Sequence, residues 1–335
     1  VTTLIARSRR WLPGTALSGV IALAATFVST LHGGPQFLYA LFFGVAFHYL
    51  SHEPTTKPGV EFCSRTVLRF GVGLLGARIT AGQIASLGWA TAALVVVAVV
   101  TTLACGVLLA RRLGMTRSQG VLSGGAVAIC GASAALAISA VLPKEKDGDR
   151  FTLLVVVTVT ALSTLAMVIY PLVAKLLHLD PRWAGLFLGG TIHDVAQVVG
   201  AGYTLGPEAG DFATIVKLLR VALLAAVVVA VSAAFRRERT DARPGRAVAK
   251  QPLVPWFLWM FLGMVALNSA GALDAPVRQV VDWLSRGCLV VAIAALGMKT
   301  SFAQLARAGW RPFALILAET LWLALLVLAA VLFMR

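Results

Sequence analysis

Gly189-Gly190-Thr191-Ile192-His193-Asp194-Val195-Ala196-Gln197-Val198-Val199-Gly200-Ala201-Gly202 is the stretch on which the reading of this chain turns. Three polar side chains, His193, Asp194 and Gln197, stand in a run otherwise made of glycine and small, mostly apolar residues. On a helix, His193 and Gln197 are four apart and Asp194 and Gln197 three apart, so all three line one side. The glycines at both ends, Gly189/Gly190 and Gly200/Gly202, let such a helix break or let another backbone come close. If the run lies in a membrane, an ionisable pair there marks a functional site. The alternative is a structural His–Asp pair that holds two helices together.

Composition places the run in a membrane. Of 335 residues, 59% are hydrophobic and only 13% charged, against about 25% charged in soluble domains. A span needs roughly 20 mostly apolar residues, and such runs recur along the whole chain. The expected fold is an all-α polytopic membrane protein of about eleven transmembrane helices, near 14–31, 36–50, 60–77, 84–110, 118–141, 151–177, 184–204, 211–235, 253–270, 279–297 and 312–334. The first run follows Arg7, Arg9 and Arg10 without a cleavage motif, and reads as a span rather than a signal peptide.

Loop charge tests that layout. With the N-terminus in the cytoplasm, nineteen lysines and arginines fall inside and six outside, while Arg69, Lys217, Arg220 and Arg286 lie within spans. This is the positive-inside pattern. It accounts for the net charge of +15 by topology, with no nucleic-acid partner. Cys63, Cys105, Cys130 and Cys288 form neither a disulfide frame nor a metal cluster, and no cofactor is implied. The polar stretch 236–252 reads as a cytoplasmic linker between an N-terminal membrane half, 1–235, and C-terminal spans, 253–335; it is either solvated or touching anionic lipid.

An internal repeat suggests how the chain works. Leu75-Gly76-Ala77-Arg78-Ile79-Thr80, with Gln83 and Gly88-Trp89, matches Leu296-Gly297-Met298-Lys299-Thr300-Ser301, with Gln304 and Gly309-Trp310, at one constant offset. Seven spans separate the copies, so they run in opposite directions, as inverted repeats do in many secondary transporters. The eleven spans do not divide into equal halves, however, and the motif-rich spans five and seven run in the same direction.

Span five, Gly124-Gly125-Ala126-Val127-Ala128-Ile129-Cys130-Gly131-Ala132-Ser133, is either tightly packed through its small residues or a discontinuous helix. In the second case its latter half starts near Gly131–Ser133 and offers backbone N–H groups, and the Ser133 hydroxyl, to an anion. Lys217 and Arg220 share one face of span eight. One is expected to pair with Asp194, leaving the other to hold a substrate anion; the alternative is that both snorkel to the interface. On that expectation, Arg220→Ala removes anion binding and leaves the fold intact. Glu319 has no local partner and is a second candidate for proton coupling, whereas Asp282 and Arg286, four apart, read as a structural pair.

At GGAVAICGASAALA (124–137), GGTIHDVAQVVGAG (189–202) and TIVKLLRVALLA (214–225) the chain resembles the YeiH-type sulfate exporter family, and LLGARIT (74–80) fits it too. That family is similar to sodium/proton antiporters and bile-acid symporters. The resemblance implies an alternating-access carrier with inverted repeats and crossed broken helices, often dimeric, in the bacterial cytoplasmic (inner) membrane, with sulfate or a related sulfur oxyanion as substrate. The expected site is Cys130, Gly131, Ser133, His193, Gln197, Lys217 and Arg220 for a small anion, and His193, Asp194 and Glu319 for a coupling proton or sodium. An anion channel or passive facilitator is the alternative function. An intramembrane enzyme is disfavoured, because no nucleophile–base pattern is present.

Overall fold

In hydrocarbon every backbone N–H and C=O must find its partner within the segment, which leaves long apolar stretches only the helix. The computed structural model describes residues 2–32, 36–143, 148–235, 256–300 and 310–335, and among them there are helices and turns and no strand. The helices are α1 (Thr2–His32), α2 (Gln36–Ala46), α3 (Lys57–Phe62), α4 (Leu68–Leu74), α5 (Ala81–Ser86), α6 (Gly88–Arg112), α7 (Arg117–Ala128), α8 (Ala132–Ser139), α9 (Gly148–Leu176), α10 (Pro181–Thr191), α11 (Val195–Leu205), α12 (Pro207–Ala234), α13 (Trp256–Ser269), α14 (Ala275–Lys299) and α15 (Trp310–Met334). Six of them, α1, α6, α9, α12, α14 and α15, are long and apolar enough to cross a membrane. The linker 236–252 and the second repeat copy beyond Thr300, with Gln304 and Gly309, lie outside the described residues.

The residues fall into two compact units that interleave in sequence. One comprises Val1–Ser86, Val199–Asp211 and Pro255–Ser301; the other comprises Leu87–Val198, Phe212–Val254 and Phe302–Arg335.

In the first unit, glycines bring helices into backbone contact. Gly44 of α2 lies against Ala294 and Gly297 of α14, and Gly14 of α1 lies against Gly59 of α3, as small residues do at membrane helix crossings. One polar group interrupts this packing. Arg78, just after α4, places Nη1 3.1 Å from Asp282 Oδ1, and Asp282 also meets Arg286 at 3.5 Å, so the expected i,i+4 pair is present with a third member. The Arg78 guanidinium lies 5.3 Å from the centre of the Tyr203 ring, and the Tyr203 hydroxyl donates to Asp211 at 2.5 Å.

The second unit holds a reversal that hydropathy does not reveal. α6 and α15 are antiparallel: Trp322 Nε1 donates to Thr101 Oγ1 at 3.4 Å, and Gly106 faces Glu319. Trp89, Arg182, Trp183, Phe212 and Met334 gather around one cavity and mark one end of the unit. Arg335 Nη1 donates to the Leu177 carbonyl at the same end, 3.1 Å away. The opposite end is marked by Arg117, stacked 4.9 Å over the Phe235 ring.

α10 and α12 therefore start at the same end, with Arg182 5.6 Å over the Phe212 ring. The chain that enters through α10 has to come back before α12 begins. The other motif segment turns round as well. Ile138 of α8 packs back against Gly125 of α7, which requires a reversal at Ile129–Gly131. α9 then starts from the opposite end and reaches the first end at Leu177.

The expectation of eleven spans is corrected at these two segments. Segments 118–141 and 184–204 each enter and return, the first from one end and the second from the other. A hydropathy window measures apolar length, and cannot tell one crossing from two half-length limbs. At 1.5 Å per residue, the 12 residues of α7 and the 11 of α10 reach only about 16–18 Å, roughly half of a 30 Å hydrocarbon core. The correction also removes the same-direction difficulty, because the motif segments approach from opposite sides.

Candidate functional site

α7 opens with a capping box: Thr116 Oγ1 accepts from the Gln119 N–H and the Gln119 side chain accepts from the Thr116 N–H. It stops at Ala128. Ile129 leaves helical geometry at φ −116°, ψ −87°, and Gly131 takes φ +63°, which a side chain would strain. α10 opens on Pro181 and stops at Thr191, where Ile192 turns extended. His193 and Asp194 therefore sit in the break between α10 and α11, and not on a helix face as the spacing suggested.

A helix end leaves carbonyls without partners and carries partial negative charge. Here two such ends are buried together, and α12 supplies their partners. Lys217 Nζ donates to the Ile129 carbonyl at 2.5 Å and the Ile192 carbonyl at 2.9 Å. Arg220 Nε donates to Ala128 at 3.0 Å; Nη1 donates to Gly189 at 3.1 Å and Ile192 at 3.2 Å; Nη2 donates to Val127 at 3.0 Å and Ala128 at 2.8 Å. Both side chains are fully buried. All five guanidinium N–H groups are thus engaged with the ends of α7 and α10. Arg220 therefore has no N–H left to offer an anion, while Lys217 has two of its three N–H groups engaged. Neither side chain snorkels to the interface.

The breaks also meet each other. A methyl group on Gly131 would lie 3.5 Å from His193 Cβ and 3.0 Å from Val159 Cγ1. The second break is held by hydroxyls of α9 and α15. The Asp194 N–H donates to Ser163 Oγ at 3.1 Å, and Asp194 Oδ1 accepts from the Ala196 N–H at 2.8 Å, opening α11. Gln197 Nε2 donates to Thr164 Oγ1 at 2.8 Å. His193 Nε2 meets Thr320 Oγ1 at 3.1 Å. Thr320 Oγ1 also donates to the Ile316 carbonyl at 2.8 Å. His193 Nδ1 and Gln197 Oε1 are buried with no hydrogen-bond partner among the described residues.

The α8 and α11 sides of the breaks are more open. Gly131 caps α8 without a side-chain hydrogen bond. Ser133 is exposed, and Ala132, Asp194 and Val195 are partly exposed, above the buried Cys130, Gly131, His193 and Gln197. The mouth therefore combines two helix N-termini, which favour negative charge, with the Asp194 carboxylate. Glu319 stands apart on α15, bonded to Ser123 and one residue before Thr320. Ser123, Ser163, Thr164 and Thr320 were not singled out in the sequence. The only available signal was their position: hydroxyls in the middle of apolar runs, two of them adjacent to each other and one adjacent to Glu319. Among the described residues no group of three or more His, Cys, Asp and Glu side chains is placed to hold a metal ion.

Long apolar helices, arranged with two opposed reversals whose breaks meet the buried cations of α12, define a multi-pass membrane protein. The chain belongs to the family described as conserved hypothetical protein 698, whose model matches residues 13–316. It is 48% identical over 329 residues to the UPF0324 membrane protein CT0845 of Chlorobaculum tepidum, covering 98% of this chain and 91% of that one. It is 50% identical over 317 residues to the UPF0324 membrane protein TauZ of Paracoccus denitrificans, covering 94% and 93%. The UPF0324 membrane protein RB0971 of Rhizobium meliloti is 46% identical over 318 residues, covering 95% of this chain and 91% of the relative. No solved structure matches the chain.

Proposed function

We propose that this protein is a secondary active transporter of a small anion, with sulfate or a related sulfur oxyanion as the class to test first. The observation that carries this reading is the meeting of two opposed chain reversals. Their C-terminal ends are neutralised from behind by Lys217 and Arg220, and the N-terminal ends of α8 and α11 face a partly open mouth. Half-helices meeting near mid-membrane are how many secondary transporters build a site reachable from either side. Backbone N–H groups at Ala132 and Ser133, with the Ser133 hydroxyl, suit oxyanion oxygens. A proton on Asp194 removes the one negative charge that opposes an anion there, so anion and proton bind together; His193 is a second titratable group in reach of the break.

The reading extends to a topology of nine crossings in a bacterial inner membrane, with the N-terminus in the cytoplasm, which the two reversals and the loop charges support. Arg150, with the neighbouring Lys144 and Lys146, moves to the cytoplasmic side, and Lys175 and Arg182 move to the outer side. The charge split becomes twenty inside to five outside, a sharper positive-inside pattern than before.

The test is uptake of labelled sulfate by proteoliposomes under an imposed pH gradient, with other small anions as competitors. Accumulation that follows the gradient supports a proton-coupled carrier. Equilibration without accumulation supports a passive facilitator. The absence of flux for every anion tested removes the proposal.

A further inference from the structure

Glu319 is a buried ionisable group that the anion site leaves unused. It lies on α15, which packs against α6, α7, α9 and α10. Its carboxyl is fully buried. Oε1 accepts from Ser123 Oγ of α7 at 2.7 Å, while Oε2 has no partner. The slot around it exists because α6 and α7 meet through glycine: a methyl group on Gly106 would come within 2.6 Å of Oε1 and of the Gly120 carbonyl, and within 2.9 Å of Gly124. The ionisable group that faces it from α6 is the Cys105 thiol, and from α7 only the Ser123 hydroxyl approaches; α9 and α10 present none among the described residues. No cation among the described residues forms an ion pair with it.

We infer that Glu319 binds a transported proton, at a site separate from the anion mouth. The inference rests on the transport reading for its role and on geometry for its place. An unpaired charge buried in a membrane protein is costly, so the ionisation of this carboxyl is tied to whether water reaches the slot between α6, α7 and α15. The proton adds to Oε2, the oxygen with no partner, and the Ser123 bond to Oε1 stays in place. The next residue, Thr320, is hydrogen-bonded to His193 at the tip of the second reversal. A shift of α15 that opens the slot thus moves the support of the anion site, which couples the two events.

The test uses the full chain in liposomes with an internal pH dye and labelled sulfate as probe. Glu319→Gln is expected to keep sulfate–sulfate exchange at equal pH but to lose pH-driven accumulation and the accompanying proton flux by about tenfold; Glu319→Asp restores part of both. Wild-type accumulation in Glu319→Gln overturns the inference. If the wild-type chain moves no sulfate, the transport reading is at fault, and the proton site is judged separately by infrared titration of the purified protein. The wild type is expected to show a carboxylic-acid band that Glu319→Gln lacks, and identical spectra overturn the site. Should Glu319→Gln fail to fold, Ser123→Ala keeps the carboxyl and removes its donor. A changed midpoint of that band supports the site, and an unchanged one overturns it.

Discussion

Lys217 and Arg220, one turn apart on α12, donate to the same acceptor, the carbonyl of Ile192. Two positive charges would repel one another there if they faced each other alone. They are held together because each also reaches the end of α7: Lys217 at Ile129 and Arg220 at Val127 and Ala128. The two negative helix ends and the two cations form one neutralising arrangement, placed where water cannot do the same work.

Arg220→Ala is therefore expected to damage the fold, rather than to remove anion binding from an intact protein. Hydrogen bonds from a charged donor contribute about 1.5–3 kcal/mol each, and five are lost, so the variant should not survive purification as a monodisperse protein. Arg220→Lys keeps the charge but has too few donors for both ends. It should purify with a clearly lowered melting temperature in detergent, read by intrinsic fluorescence. A wild-type melting curve for Arg220→Ala would show that the guanidinium is not needed at the helix ends.

Gly131→Ala tests the first reversal. The backbone at φ +63°, ψ −123° is a region that side chains avoid, and the new methyl meets Val159 at 3.0 Å. A loss of about 1–3 kcal/mol is expected from the backbone alone, measured as a fall in melting temperature. Gly263→Ala, where nothing lies within 4 Å of the added methyl, is the control and should change little.

Asp194→Asn separates charge from shape. The amide oxygen still accepts from the Ala196 N–H, so α11 keeps its opening and the protein should fold. On the proposed transport reading, what is lost is the ability to carry a proton beside the anion. Sulfate transport in the variant is expected to lose the part of its pH dependence that a proton on Asp194 supplies, with affinity retained and the Glu319 site untouched. A wild-type pH profile would move the coupling away from this residue.

The reversals predict which side each loop faces. In a background with the four cysteines replaced, Arg150→Cys should react with an impermeant thiol reagent only after the inner face is opened. Arg182→Cys should react in intact cells. Eleven uninterrupted spans place both residues the other way round, so the pair decides between the two layouts.

Much of this was legible in the sequence. The glycine-rich segments around Gly131 and His193 marked where helices stop, because a break at membrane depth needs residues without bulk. The Asp282–Arg286 pair followed from spacing alone. The direction of the chain after each break was not legible: Ala132–Ser139 and Val195–Leu205 are as apolar as a continued span, and only contacts such as Ile138 on Gly125 show the return. The engagement of Lys217 and Arg220 with helix ends was not legible for a related reason. A sequence displays the charge of a side chain, but not the carbonyls that a distant helix end leaves without partners. By its spacing His193 read as one face of a helix; its partner, Thr320, lies 127 residues away.

The full engagement of Arg220 with main-chain oxygens separates framework from selectivity. The groups that hold the two reversals in place recognise backbone alone, so they are indifferent to which side chains occupy the mouth. Ala132, Ser133 and Val195 can then differ in size or polarity among proteins of this architecture without disturbing the scaffold behind them. One rigid centre would serve carriers for many different small solutes, with the choice among them made by a few residues at the rim.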